Sequence, residues 1–234
     1  MIVTELWRYP VKSLGGERLS RSDVGELGLV GDRSWGVVDN ETGRVLTGRR
    51  EPRLLLATAA LHGDDLVITL PDGAETDRTE GVAAWLDRDV TLRRAGPDGG
   101  VYENPLDFER DDDWVSWQGP PGAWHDTGRA RVSLLTTASI GDWDVRRFRP
   151  NVLLDGSGED ALVGHGITIG TVGLNVSKQI GRCVMVTREQ PGIARDLSVL
   201  RKINQERATF LAIGAVVSQG GRVEVGDRLH DLGP

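Results

Sequence analysis

The sequence predicts a mainly β (α+β) protein with a few short helices, arranged as closed β architecture: two barrels, or one barrel with an appended sheet. Val and Leu are spread through many short runs, and 31 glycines punctuate them as turns do between strands. Few stretches carry helical spacing. At 234 residues the chain makes one large domain or two small ones, with enough length for a real core.

In order along the chain, 2–9 is a strand ended by Pro10. The runs 23–29 and 34–39 follow, punctuated by Gly28, Gly31 and the turn Asn40-Glu-Thr-Gly43. The alternation over 54–60 and 65–70 predicts two strands, the second closed by Pro71-Asp-Gly73. A helix is expected over 79–86, where Val82, Trp85 and Leu86 share a face. Prolines, glycines and the acidic cluster 109–113 mark 95–122 as a long irregular connector between domains 1–118 and 119–234. Within it, Asp111 to Asp113 lack the glycine and terminal glutamate of a calcium loop and belong to a solvated acidic segment. Strands are expected at 132–136, 151–155, 167–169, 172–176 and 183–187. Thr137 or Ser139 caps a helix reaching about Arg147, and Leu197, Leu200 and Ile203 give helical spacing within 194–207. The runs 210–217 and 222–225 around Gly220-Gly221 predict a closing hairpin. No internal repeat is present.

The net charge of −7 excludes general nucleic-acid binding, which needs a basic face. The absence of an 18-residue apolar run and a start that reads as a strand argue against a membrane span or leader, and one cysteine fits a reducing cytoplasm. That lone Cys183 cannot form an internal disulfide or a multi-cysteine zinc site. It is a packed small hydrophobe, a nucleophile, or a single soft ligand to a metal held mainly by something else. Lys178, Arg182 and Arg188 lie within five residues of it, and positive charge favours a thiolate. Lys12 and Ser13 after Pro10, Arg33 after Gly31-Asp32, Arg49 and Arg50 after Thr47-Gly48, and Arg149 before Pro150-Asn151 all sit beside turns. Turn amides plus a guanidinium hold phosphates and carboxylates, so these residues outline an anion site between the two halves. His62, His125, His165 and His230 stand singly, without zinc spacing. No Gly-x-Gly-x-x-Gly or phosphate-loop motif occurs. Ser133, Ser139 and Asp126 make no hydrolase triad without a Gly-x-Ser-x-Gly elbow. Trp114, Trp117 and Trp124 read as packing between domains.

Six segments, in order, carry a resemblance: Tyr9-Pro-Val-Lys-Ser13, Gly31-Asp-Arg33, Val45-Leu-Thr-Gly-Arg-Arg-Glu-Pro-Arg-Leu54, Phe148-Arg-Pro-Asn-Val152, Gly181-Arg-Cys183 and Val223-Glu-Val-Gly-Asp227. Together they resemble the MOSC-domain family, in its branch with an N-terminal MOSC-type β-barrel domain and a C-terminal MOSC β-barrel. The resemblance implies a molybdenum cofactor of the pyranopterin type, with Cys183 as the protein's sulfur ligand to molybdenum and Arg182 beside it. It implies that Lys12, Ser13, Arg33, Arg149 and Asn151 hold the pterin and its phosphate; Arg49, Gly181 and the pair Asp126-Thr127 join that set. The implied activity is an oxidoreductase acting on N-hydroxylated or N-oxide small molecules. Electrons would come from a separate flavin or iron-sulfur protein, because one cysteine cannot build a cluster. The alternative is a molybdenum-free sulfur carrier, sulfurtransferase or carbon–sulfur lyase working through Cys183. Three departures from the reductases stand out: Gly181 where Ser is common, Glu189-Gln190-Pro191 after the cysteine, and Gly214 where a tyrosine lies near the cofactor.

Overall fold

The strands fold around four apolar clusters. The structure is a computed structural model and describes residues 1–105 and 113–234. Of the acidic cluster 109–113, only Asp113 falls within the described residues.

The main sheet has eight strands, in the order Leu229–Gly233, Gly166–Ile169, Val172–Gly181, Phe210–Gln219, Val132–Thr136, Val152–Leu154, Val3–Arg8 and Glu17–Leu19. Every pairing is antiparallel except Val132–Thr136 with Val152–Leu154, whose crossover carries a helix over Thr137–Ile140 and a 3-10 turn over Val145–Arg147. The first strand pairs with Val152–Leu154, so the main sheet draws on both ends of the chain. Val3, Leu6, Leu134, Leu154, Ile167, Val176 and Ile213 fill its inner face. A second core belongs to residues 11–92: the helix Thr79–Leu86 buries Val82 and Leu86 against Val37, Leu54 and Ile68.

Several sequence expectations need correction. The stretch 95–122 is not an irregular connector: Val101–Pro105 and Trp114–Gln118 pair as an antiparallel hairpin. Its aromatics form the core that a count of prolines and glycines hides. Tyr102 lies opposite Trp117, with ring centroids 5.2 Å apart, in a cluster with buried Trp124. The run 54–60 splits into a 3-10 turn over Pro52–Leu56 and a strand over Thr58–His62. Thr136, not Thr137 or Ser139, caps the next helix, its hydroxyl accepting from the Ser139 amide, and the helix ends at Ile140 rather than near Arg147. The expected strand 183–187 is a 3-10 turn over Val184–Thr187, closed by the Val186 amide on the Cys183 carbonyl. Of its residues, Val186 is buried in an apolar cluster with Leu211 and Ile203. The closing hairpin also fails. Phe210–Gln219 stays in the main sheet, while Gly221–Glu224 pairs with Arg21–Gly25. Neither Gly220 nor Gly221 adopts the positive φ that a two-residue hairpin turn requires. The strand ending at Gly181 is longer than the expected 172–176, and three irregularities in its register with Phe210–Gln219 bend it.

Candidate functional site

A cavity of about 270 Å³ opens where strand ends from both parts of the chain meet. The residues that the resemblance implies for the cofactor line it: Lys12, Ser13, Arg33, Arg49, Thr127, Arg149, Asn151, Gly181, Arg182 and Cys183; Arg50, also beside a turn, does not and pairs with Glu103 instead. Arg147 and Lys178 line it too, giving seven cations among the described residues, as does Asp126, the single carboxylate among them in the wall.

Local backbone geometry explains the gathering. Lys12 and Ser13 follow the first strand, where the Lys12 amide donates to the Trp35 carbonyl. Arg33 is tied at both ends: its amide donates to the Tyr9 carbonyl at 2.7 Å, and its own carbonyl accepts from Trp124. Ser13, Arg33 and Arg149 have φ of 70°, 51° and 53°, a region that non-glycine residues rarely occupy. Strain of this kind persists only where its surroundings enforce it, and such residues cluster at ligand sites. No sequence pattern announced these three conformations.

Electrostatics organise the interior. Buried Lys12 donates from Nζ to the Trp124 carbonyl at 3.0 Å and to Asp126 Oδ1 at 2.8 Å, with the Tyr102 ring 4.4 Å away. Burial lowers the Lys12 ammonium from its ordinary value, and Asp126 opposes that shift. Burial pushes the Asp126 carboxyl up, but Lys12 and then Arg49 outweigh it and hold the group well below the usual carboxylate range. Asp126 is therefore an anion fixed among cations.

Arg33 and Arg149, from the two halves of the chain, both lay their guanidinium groups against the ring of Tyr9, at 5.2 and 4.3 Å. Arg33 is neutralised by Asp32, which also accepts from the Tyr9 amide. Arg149 donates to the Leu14 carbonyl and has no carboxylate partner among the described residues. Burial, with Arg33 adding to it, pushes its guanidinium down to about 10. Burial does the same to Arg182, also to about 10. Arg182 holds its place by donating to the Leu211 and Phe148 carbonyls, which leaves a buried Nη2 with no partner among the described residues. Asn151 braces the junction of the halves, accepting from Ser133 and donating to the Trp7 carbonyl. Cys183 is half-buried, at the end of the long strand, and its sulfur accepts from Arg49 Nε at 3.2 Å.

Two models of one family account for most of the chain: the MOSC N-terminal beta barrel domain matches residues 1–95 and the MOSC domain matches 125–230. The chain belongs to the MOSC-domain family. This MOSC protein is 27% identical to the human mitochondrial amidoxime-reducing component 1, over 99% of its own length and 83% of the relative's. The zebrafish counterpart is 26% identical over 99% of this chain and 85% of its own. A shorter stretch, 24% of this chain and 6% of the relative, is 47% identical to the human molybdenum cofactor sulfurase. Among solved structures, the YuaD protein of Bacillus subtilis superposes with a TM-score of 0.46 at 11% identity, over 97% of this chain and 93% of that one.

Some sequence readings fall outside the site. Ser139 accepts from Arg207 and does not line the cavity. His125 lines the cavity, but its Nε2 donates to the Leu27 carbonyl and burial pushes it down to about 3, so it stays neutral. No described cluster of His, Cys, Asp and Glu could hold a metal by itself. No described helix is long and apolar enough to cross a membrane. A Cβ at Gly214 would lie 2.6 Å from the Cβ of Ala130, a cavity residue, so a larger side chain there would have to displace the wall. Sequence reasoning missed Thr47, Arg147 and Asn104. The first two line the cavity and the third bonds Arg49, and none carries a local signal.

Proposed function

We propose that this MOSC protein is a cytoplasmic molybdenum-cofactor oxidoreductase that reduces N-hydroxylated or N-oxide substrates with electrons from a separate flavin or iron-sulfur protein. The observation that carries the reading is the convergence of seven cations and one thiol on a single cavity. A phosphate site alone has no use for a thiol, and a thiol nucleophile has no use for so many cations. A phosphorylated pterin bearing a soft metal uses both.

The residues present fit such a group. Cys183 offers one soft donor, Arg182 a buried N–H without a partner, and Lys12 the one N–H of its three that Trp124 and Asp126 leave free. In this reading Cys183 is the protein's ligand to molybdenum. Lys12, Ser13, Arg33, Arg149 and Asn151 hold the pterin and its phosphate, with Arg49, Thr127 and Gly181 completing the wall. Domain 1–118 contributes Lys12, Ser13, Arg33 and Arg49 to this set, and domain 119–234 the rest. When bound, the cofactor supplies two-electron oxygen-atom chemistry at the metal. The net reaction, R–NHOH + 2 e⁻ + 2 H⁺ → R–NH2 + H2O, consumes two protons inside the cavity. Asp126, held ionised, is not their source; Lys12 Nζ, lowered by burial, gives up a proton more readily than an ordinary lysine. Phe148, Ile180, Met185 and Val186 form the apolar part of the wall and limit the water around the reacting groups. Arg182 steers an anionic group toward Cys183. The amidoxime-reducing relatives, aligned over nearly the whole chain, support this substrate class.

The local match to a molybdenum cofactor sulfurase favours a second reading, in which Cys183 carries a persulfide and no metal is bound. One preparation separates the two. Molybdenum analysis with the fluorescence of oxidised pterin is expected to give one metal and one pterin per chain, and mass spectrometry an unmodified Cys183. A metal-free protein with an extra sulfur on Cys183 would overturn the oxidoreductase reading.

A further inference from the structure

The hairpin that the sequence presents as a connector reaches the site through Tyr102, under Lys12, and through Asn104, whose contact bears on the sulfur. Arg49 Nε donates to the Cys183 sulfur at 3.2 Å, and Arg49 Nη1 donates to Oδ1 of Asn104. Sulfur, guanidinium and amide thus form a chain from the cavity wall to the hairpin. Its links come from three separate segments: the end of the long strand, the turn after Leu46, and the strand Val101–Pro105.

The amide at this position has a chemical rationale. Arginine is long and rotatable, and Asp126 also attracts the Arg49 charge, so an unheld Arg49 divides its time between carboxylate and sulfur. A carboxylate at position 104 would fix Arg49 but neutralise it. Asparagine fixes its direction and leaves the charge undiminished for the sulfur. The neighbouring carboxylate, Glu103, pairs with Arg44 and Arg50 instead. Successive strand side chains point to opposite faces, which keeps Glu103 away from the Arg49 contact.

We propose that Asn104 is a positioning residue: it holds Arg49 against the sulfur of Cys183 and so sets the direction and electron density of the one sulfur this chain can offer a metal. The proposal rests on Cys183 as the metal ligand. Partners that orient a ligand and hydrogen-bond to it fix its direction and tune the metal.

The test uses Asn104→Leu, close in size but without the acceptor. In metal-free protein labelled at arginine nitrogen, one Nε–H resonance should move on Cys183→Ala, which identifies Arg49. Its protection from exchange should fall at least about tenfold in Asn104→Leu, as expected for loss of a hydrogen bond worth roughly 1.4 kcal/mol. In protein loaded with molybdenum cofactor, Asn104→Leu should shift the metal's paramagnetic resonance signature while metal content stays within about twofold of wild type. Unaltered protection together with an unaltered signature would overturn the proposal. A wild-type protein that binds no molybdenum would sink the oxidoreductase reading, yet the metal-free measurement would still decide whether Asn104 holds Arg49 to the sulfur. If Asn104→Leu does not fold, Asn104→Ser, too short to reach Arg49, is judged by the same outcomes.

Discussion

Replacing Arg149 with methionine should have opposite effects on the empty and the loaded protein. Burial has pushed this guanidinium from its ordinary value down to about 10. At about 1.4 kcal/mol for each pH unit, the folded protein carries roughly 3 kcal/mol of unfavourable charge burial at neutral pH. The sign follows from linkage. The charged form is disfavoured in the fold, so the penalty is fully present below about 10 and is relieved as pH rises from there toward the ordinary value of an arginine. Against it stand the hydrogen bond to the Leu14 carbonyl and the stacking on Tyr9 at 4.3 Å, each worth about 1 kcal/mol. Arg149→Met removes all three, so the cofactor-free protein should keep its stability or gain about 1 kcal/mol in urea unfolding. With cofactor present, the lost charge-assisted hydrogen bond to phosphate should weaken retention by about 1.5–3 kcal/mol, roughly 10- to 150-fold in the pterin's dissociation constant. A free protein destabilised by more than about 2 kcal/mol, with pterin affinity unchanged, would show that Arg149 serves the fold and would refute the reasoning.

Cys183→Ser should leave a folded protein with little activity and altered molybdenum content, because a hard hydroxyl replaces a soft thiolate; a Cys183→Ala variant that reduces N-hydroxylated substrates as well as wild type would remove the ligand role. Asp32→Asn should destabilise the protein by about 3–5 kcal/mol in denaturant titration, since Asp32 is fully buried and its loss leaves Arg33 uncompensated beside Arg149. His125, pushed down to about 3, makes the fold acid-sensitive: stability is intact above the unfolded value of 6.5 and declines as pH falls from there toward 3, by roughly 4–5 kcal/mol at the lower end. His125→Gln, which keeps a donor for the Leu27 carbonyl without titrating, should flatten that limb; an unchanged pH profile would place the acid sensitivity elsewhere. With NADH or NADPH alone turnover should be negligible, and it should appear with reduced viologen, because one cysteine and no dinucleotide fingerprint leave no internal route for electrons. Substantial NADPH-dependent reduction by the purified chain would contradict this.

Local chemistry made much of the site legible. A basic residue beside a proline or glycine turn is visible wherever it occurs, and Lys12, Arg33, Arg49 and Arg149 all reach the cavity wall. Asn104 was invisible because an isolated asparagine in a Pro-rich and Gly-rich stretch carries no periodic signal, and its partner is 55 positions away. The turn after Cys183 was misread for a related reason. Val-Met-Val-Thr fits a pleated strand by composition, but no neighbouring strand is there to pair with it, and a 3-10 turn satisfies the backbone instead.

By itself the sequence determined the strand-rich class, the helix over 79–86, and a single thiol among turn-borne cations. These depend on residue type, on spacing within one element, and on turn chemistry, all of which act over a few residues. Only the tertiary structure decided which strands pair, that Asp126 is ionised against Lys12, that Tyr9 carries two guanidinium groups, and that Arg49 faces the sulfur. Those are contacts between segments tens to more than a hundred residues apart. They arise from close approach of charged groups around the cavity, which exists only once the chain has closed around it.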